Sequence, residues 1–327
     1  MTPSADASEH LRYVRTRDGH HVACQARGTG PIDLLEIGGF GTLFALDAAD
    51  EQPRWRRFED RLRSFSRLIK FDLRGVGYSD PVAGELTVDD WVADAIAVLD
   101  AVGAGRASIL ASSFGGFTAL QLAAQHPDRV DKLVLTNTGA RFVRADDYPI
   151  GADPDVIAEM RRVADPGDGR DGDEPNDIDI MAPSLAGDDD VRQWWTRTAR
   201  RGAGPATAAA MWDISTTADV RDQLHAVTAP TLVVHTANNR FITPNHGRWL
   251  ARHLPNAELS IIPAADQVIW AVPGNAVIDE IQQFLTGMLD RSAGSRSMAA
   301  ILFTDIVEST SRNSAQPLSD GALVGVP

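Results

Sequence analysis

The stretch 106–127, RASILASSFGGFTALQLAAQHP, constrains this chain more than any other. A short apolar run at 107–111 meets Ser-Ser-Phe-Gly-Gly at 112–116, and an apolar segment of helical length follows. That pattern predicts a buried strand, a sharp turn and a helix. Ser113 falls at the turn, with Ala111 two residues before it and Gly115 two after. A turn this tight strains its central residue, so the neighbours have to be small. It also holds one hydroxyl above the end of a sheet, beside the unpaired N–H groups that open a helix.

The rest of the chain is arranged around this unit. Strands are predicted at 11–17 and 20–28, joined by the Asp18-Gly19 turn, and at 32–37, 67–73, 132–137, 231–235 and 258–262. Helices are predicted at 55–65, 87–104, 244–253 and 276–288, with Thr87 and Asp90 spaced to cap the second. Strands alternating with helices at these lengths predict an α/β fold built on a doubly wound, mostly parallel sheet. Residues 141–227 break the rhythm. They hold helical patches at 154–164, 190–200 and 206–216, an acidic glycine-rich loop at 165–179, and Trp194, Trp195 and Trp212.

At 327 residues and 43% hydrophobic content, the chain is long enough for a large core. Its formal net charge of −14 argues against general nucleic-acid binding. Cys24 is the sole cysteine, so no internal disulfide forms. No leader-like start and no membrane-spanning apolar stretch is evident, which makes a cytoplasmic protein the expectation. Residues 1–10 are polar and expected to fray.

Residues 11–288 resemble the α/β-hydrolase superfamily. The resemblance rests on GGFG after the third strand, DLRGVGYSD after the fourth, ASSFGG at the sharp turn and PTLVVHTANNRFITP after the helical insertion. It implies an α/β-hydrolase core at 11–140 and 228–289 and a helical cap at 141–227. It further implies that Ser113 is the nucleophile position and that the backbone N–H groups of Phe40 and Phe114 form the oxyanion hole. Asp72 and Arg74 would fix loop structure. The ligand pocket would gather Gly39, Phe40, Ser113 and Phe114, with Trp194, Trp195 and Trp212 either lining it or packing the cap onto the sheet.

A second resemblance begins after a linker-like stretch at 290–297. Residues 298–310, MAAILFTDIVEST, resemble the opening strand of class III nucleotide cyclase domains. The overall pattern resembles actinobacterial proteins that fuse an α/β-hydrolase domain to an adenylate cyclase. Segment 298–327 then reads as the truncated start of that second domain. Asp305 matches the cyclase metal-binding aspartate, but its companion ligands would lie past residue 327, so an orphan, unfilled metal position is expected. No cofactor is expected.

Two departures from the hydrolase pattern decide the functional expectation. Asn239 stands where the triad acid belongs, and Gln267 stands where the base belongs. A carboxamide orients an imidazole but supplies no charge, and losing that charge can cost about 10⁴ in turnover. Gln267 has no basic lone pair near neutral pH and cannot take a proton from Ser113. No histidine follows His253. His235, His225 and a buried Asp266 are the substitutes considered.

Three readings follow. One is a binding or regulatory module for a small apolar or ester-like molecule, with a degenerate triad. Another is a serine ester hydrolase with a non-standard base such as His235. The last is an assembly domain of a truncated cyclase, for which a homodimer is the implied form.

Overall fold

The computed structural model describes residues 11–38, 43–81, 84–164 and 177–288. Expectations that fall on 1–10, on Gly39 and Phe40, on most of the acidic loop and on the 290–327 tail with Asp305 lie outside the described residues.

Strands β1 (Arg12–Arg15), β2 (His21–Arg27), β3 (Ile32–Ile37), β4 (Ser66–Phe71), β5 (Ala107–Ser112), β6 (Val130–Thr136), β7 (Thr231–Thr236) and β8 (Ala257–Ile262) form one sheet. Its order is β1-β2-β4-β3-β5-β6-β7-β8. β1 and β2 pair antiparallel across the Asp18-Gly19 turn, where Gly19 takes φ 96°. β2 runs antiparallel to β4, and the remaining pairs are parallel. The central strands are buried on both faces, as parallel strands covered by helices must be.

Helices α1 (Pro53–Phe65), α2 (Val88–Ala101), α3 (Gly115–Gln125), α8 (Pro244–His253) and α9 (Ala276–Thr286) cover the sheet, while α4 (Pro154–Ala164), α5 (Ile178–Met181), α6 (Asp189–Gly202) and α7 (Pro205–Thr217) fill the segment between β6 and β7. The Thr87–Asp90 capping box opens α2. Side chains alternate across the sheet. Leu35, Ile37, Ile109, Ala111 and Val233 pack with residues of α2, α3 and α8. Leu34, Leu68, Leu110 and Val234 pack with α1 and α9.

A third apolar cluster joins α5 and α6 to α1. Phe44, Trp55, Trp194, Trp195 and Trp270 share it. Trp55 and Trp270 stack at 5.3 Å with 4° between their planes. Trp195 Nε1 donates to Asp177 Oδ1 at 2.6 Å, so the buried indole keeps its polar end satisfied.

The DLRGVGYSD segment is held by its own buried side chains. Asp72 accepts from the backbone N–H of Leu46 at 2.7 Å and of Tyr78 at 2.9 Å. Arg74 forks onto Asp94, with both contacts at 2.7 Å, and also meets Asp18.

Candidate active-site cavity

β5 ends at Ser112 and α3 starts at Gly115, so the turn has only Ser113 and Phe114 to reverse the chain. Ser113 takes φ 53°, a left-handed conformation rare for a side-chain-bearing residue. Its N–H donates to Thr136 O at 3.1 Å, which anchors the turn to β6. The small residue at 115 is required by packing. A Cβ there would meet Gly38 O and Ile37 O at 2.5 Å, because the start of α3 lies against the end of β3. Phe114 occupies the N-cap position of α3. Its ring is buried against Phe117, Phe142 and Phe241.

Ser113 lines a cavity of about 90 Å³. Gln267 lines the same cavity. Asn239 and Gln267 are in contact: Asn239 Nδ2 donates to Gln267 Oε1 at 2.7 Å. Asn239 Oδ1 accepts the backbone N–H groups of Phe241 at 3.0 Å and Ile242 at 3.2 Å. Gln267 Nε2 donates to Asn137 O at 2.9 Å. Each carboxamide is therefore oriented by backbone groups on its far side.

Asn137 is the member of this network that sequence reasoning missed. It follows β6 with φ 45°. Its Nδ2 donates to Asp266 O at 3.0 Å and Gln267 O at 2.8 Å, and its Oδ1 accepts Thr236 N–H at 2.9 Å. One asparagine thus fastens the Gln267 loop to the ends of β6 and β7. The available signal was an asparagine directly after a strand, the residue type that best tolerates left-handed backbone after glycine.

The remaining substitutes for the base are placed elsewhere. His235 is buried on the face shared with Val233, and its Nε2 lies 2.8 Å from Ile242 O. Burial holds its imidazole down at about 4. It is absent from the cavity wall. Asp266 is buried, and its Oδ1 accepts Ser184 N–H at 2.9 Å. His225 is exposed.

The tryptophans in the wall are Trp55 and Trp270. Trp194 and Trp195, expected from the sequence, stand behind them. Trp194 is edge-on to Phe44 and Trp270, and Trp195 is edge-on to Phe44. Trp212 packs edge-on to Phe142 in a different cluster. Phe114 is likewise absent from the wall.

Part of the cavity lining is charged. Glu36, Lys70 and Asp72 line it together with Phe44, Leu46 and Phe58. Glu36 and Lys70 are register partners on β3 and β4. Lys70 Nζ pairs with Glu59, donates to Leu46 O at 3.1 Å and sits 5.0 Å over the Trp55 ring. Burial pushes Asp72 up to about 6 against the two N–H groups it accepts. Burial pushes Glu36 up to about 7, opposed by the nearby Lys70 ammonium.

Residues 55–270 match the alpha/beta hydrolase fold family, and the chain belongs to it. Among similar proteins, a pimeloyl-[acyl-carrier protein] methyl ester esterase of Nitrosomonas europaea is 30% identical over 247 residues, covering 74% of this chain and 90% of the relative. A 2-hydroxymuconate semialdehyde hydrolase of Pseudomonas putida is 31% identical over 211 residues, covering 60% and 68%. A hydrolase from Pseudomonas aeruginosa PA01 superposes with TM-score 0.69 at 23% identity, over 85% of this chain and 98% of that one. The enol-lactonase from Burkholderia xenovorans LB400 gives 0.65 at 21%, over 84% and 100%. Among the described residues, no helix is long and apolar enough to cross a membrane.

Proposed function

We propose that this chain is a ligand-binding member of its family, in which a hydrolase serine is presented without the groups that would relay its proton. The observation that carries the reading is the hydrogen bond between Asn239 and Gln267. Both carboxamides are held by backbone partners, and neither accepts a proton at neutral pH. The proposed ligand is a small, partly apolar molecule with an ester-like or acyl end at Ser113, the class suggested by relatives named as esterases and hydrolases. The cyclase-like stretch 298–310 gives such a module a regulatory target: ligand occupancy in the hydrolase fold would be read by a cyclase domain.

The test compares p-nitrophenyl acetate hydrolysis by the wild type and by Ser113→Ala. Equal rates at the uncatalysed background are expected. A Ser113-dependent rate well above background overturns the reading and makes the chain a working esterase. Ser113 labelling by a fluorophosphonate probe, lost in His235→Ala, would then identify the base.

A further inference from the structure

We propose that the Ser113 cavity selects molecules that carry a protonated amine, with Glu36 as the carboxylate that receives it. This deepens the binding reading above and rests on it.

The protein leaves one carboxyl oxygen of this cavity unmatched. Glu36 lies on the α1 side of the sheet, in line with Leu34, and faces the cavity. It is partly buried, and its Oε2 is shut away with no hydrogen-bond partner among the described residues. The neighbouring groups are already engaged. Asp72 is satisfied by two backbone N–H groups. Lys70 is spoken for by Glu59, Leu46 O and the Trp55 face. Glu59 also holds Arg63, which is shared with the exposed Asp60. Of the two carboxylates that line the cavity, Glu36 is therefore the one with an oxygen still to be matched, and an ammonium would match it.

The surroundings favour a cation of a particular kind. Trp55, Trp270, Phe44 and Phe58 line the same cavity. A desolvated carboxylate attracts an ammonium and disfavours an anion. The volume of about 90 Å³ suits a short amine. Burial of Glu36 supports the same choice. An uncompensated buried carboxylate is costly, so the group gains most from a ligand that brings its own positive charge.

The experiment titrates the full chain with propylammonium, propan-1-ol and propionate at constant ionic strength, following tryptophan fluorescence and ligand-observed NMR. In the wild type the ammonium should bind about ten-fold or more tightly than the alcohol, and propionate should be the weakest. In Glu36→Gln the ammonium should fall to the level of the alcohol. Equal binding of ammonium and alcohol in the wild type overturns the proposal, as does an ammonium affinity untouched by Glu36→Gln. Should that variant fail to fold, Glu36→Asp decides: a weakened but retained ammonium preference supports Glu36, and an unchanged affinity removes it. The p-nitrophenyl acetate assay separates the two readings. Ser113-dependent turnover removes the binding-only function and leaves the ammonium preference standing, whereas loss of that preference without turnover removes this inference alone.

Discussion

Asn239 donates its side-chain N–H to Gln267 Oε1 across 2.7 Å, which reverses the polarity of the acid–base contact in a hydrolase triad. There an imidazole N–H donates and a carboxylate accepts. Here the direction is set by the backbone. Phe241 and Ile242 direct their N–H groups at Asn239 Oδ1, so the nitrogen is the atom left to face Gln267. Asn137 O then takes the Gln267 N–H, so the oxygen of Gln267 faces Asn239.

That chain of donors makes Asn239→Asp alone destabilising. One carboxylate oxygen would keep the two backbone N–H groups, and the other would confront Gln267 Oε1. Turning the Gln267 amide over moves the clash to Asn137 O. A buried acceptor without a donor costs about 1–3 kcal/mol. Urea unfolding at pH 7 should show the unfolding free energy lowered by that amount, through a lower midpoint at unchanged slope. A midpoint equal to the wild type would mean that the two carboxamides are not locked as described.

The φ of 53° at Ser113 predicts an inverted glycine–alanine order. At an ordinary position, glycine is the less stable substitution by about 0.5–1 kcal/mol. At 113, alanine keeps the left-handed strain and glycine loses it, a difference of about 1–2 kcal/mol. Ser113→Gly should therefore unfold at higher urea than Ser113→Ala. The opposite order would show a relaxed turn.

Glu36 should impose a pH dependence of a definite sign. Its carboxyl is raised to about 7 in the folded protein, from 4.5 in the open chain. Between these values the native state binds more protons than the unfolded one, so this group's contribution to stability falls as pH rises. It is fully unfavourable above pH 7 and vanishes below 4.5. Glu36→Gln should be more stable than the wild type at pH 8 by on the order of 1–2 kcal/mol, with the gain shrinking toward pH 5. A gain that grows on acidification contradicts the assignment.

Much of the site was legible because it is written in local pattern. A strand, small residues around Ser113 and a helix identify the turn wherever it folds, and Thr87 with Asp90 announces α2. Asn239 and Gln267 were found through the resemblance, which puts the acid and base after two strands of the hydrolase sheet, and they meet although 28 residues separate them. The cavity wall was not legible. Glu36 looks like any residue of a short strand, and only its register beside Lys70 and the approach of α1 turn it toward a void. Trp55 and Trp270 belong to elements distant in sequence, and their stacking is a tertiary fact. Trp194 and Trp195 are buried on α6, but the sequence alone does not say whether a cavity or other tryptophans lie opposite them.

The relay itself can be rebuilt, and the order of the steps is predictable. Gln267→His alone should stay at background. Asn239 offers only an N–H in that direction, so the imidazole would accept it at Nδ1 and carry its own proton on Nε2. That tautomer cannot receive the Ser113 proton. Asn239→Asp reverses the contact: the carboxylate keeps the Phe241 and Ile242 N–H groups, accepts from imidazole Nδ1, and leaves Nε2 as a base. The double variant Asn239→Asp, Gln267→His should hydrolyse p-nitrophenyl acetate at least about 10²-fold faster than either single variant, well inside the ~10⁴ attributed to a correctly oriented triad. The rate should rise with pH through the imidazole range near 6.5 and disappear when Ser113→Ala is added. It should also recover the stability lost in Asn239→Asp alone, since the new donor removes the acceptor clash. A folded double variant that remains silent would show that access to Ser113, rather than the missing relay, keeps this serine idle.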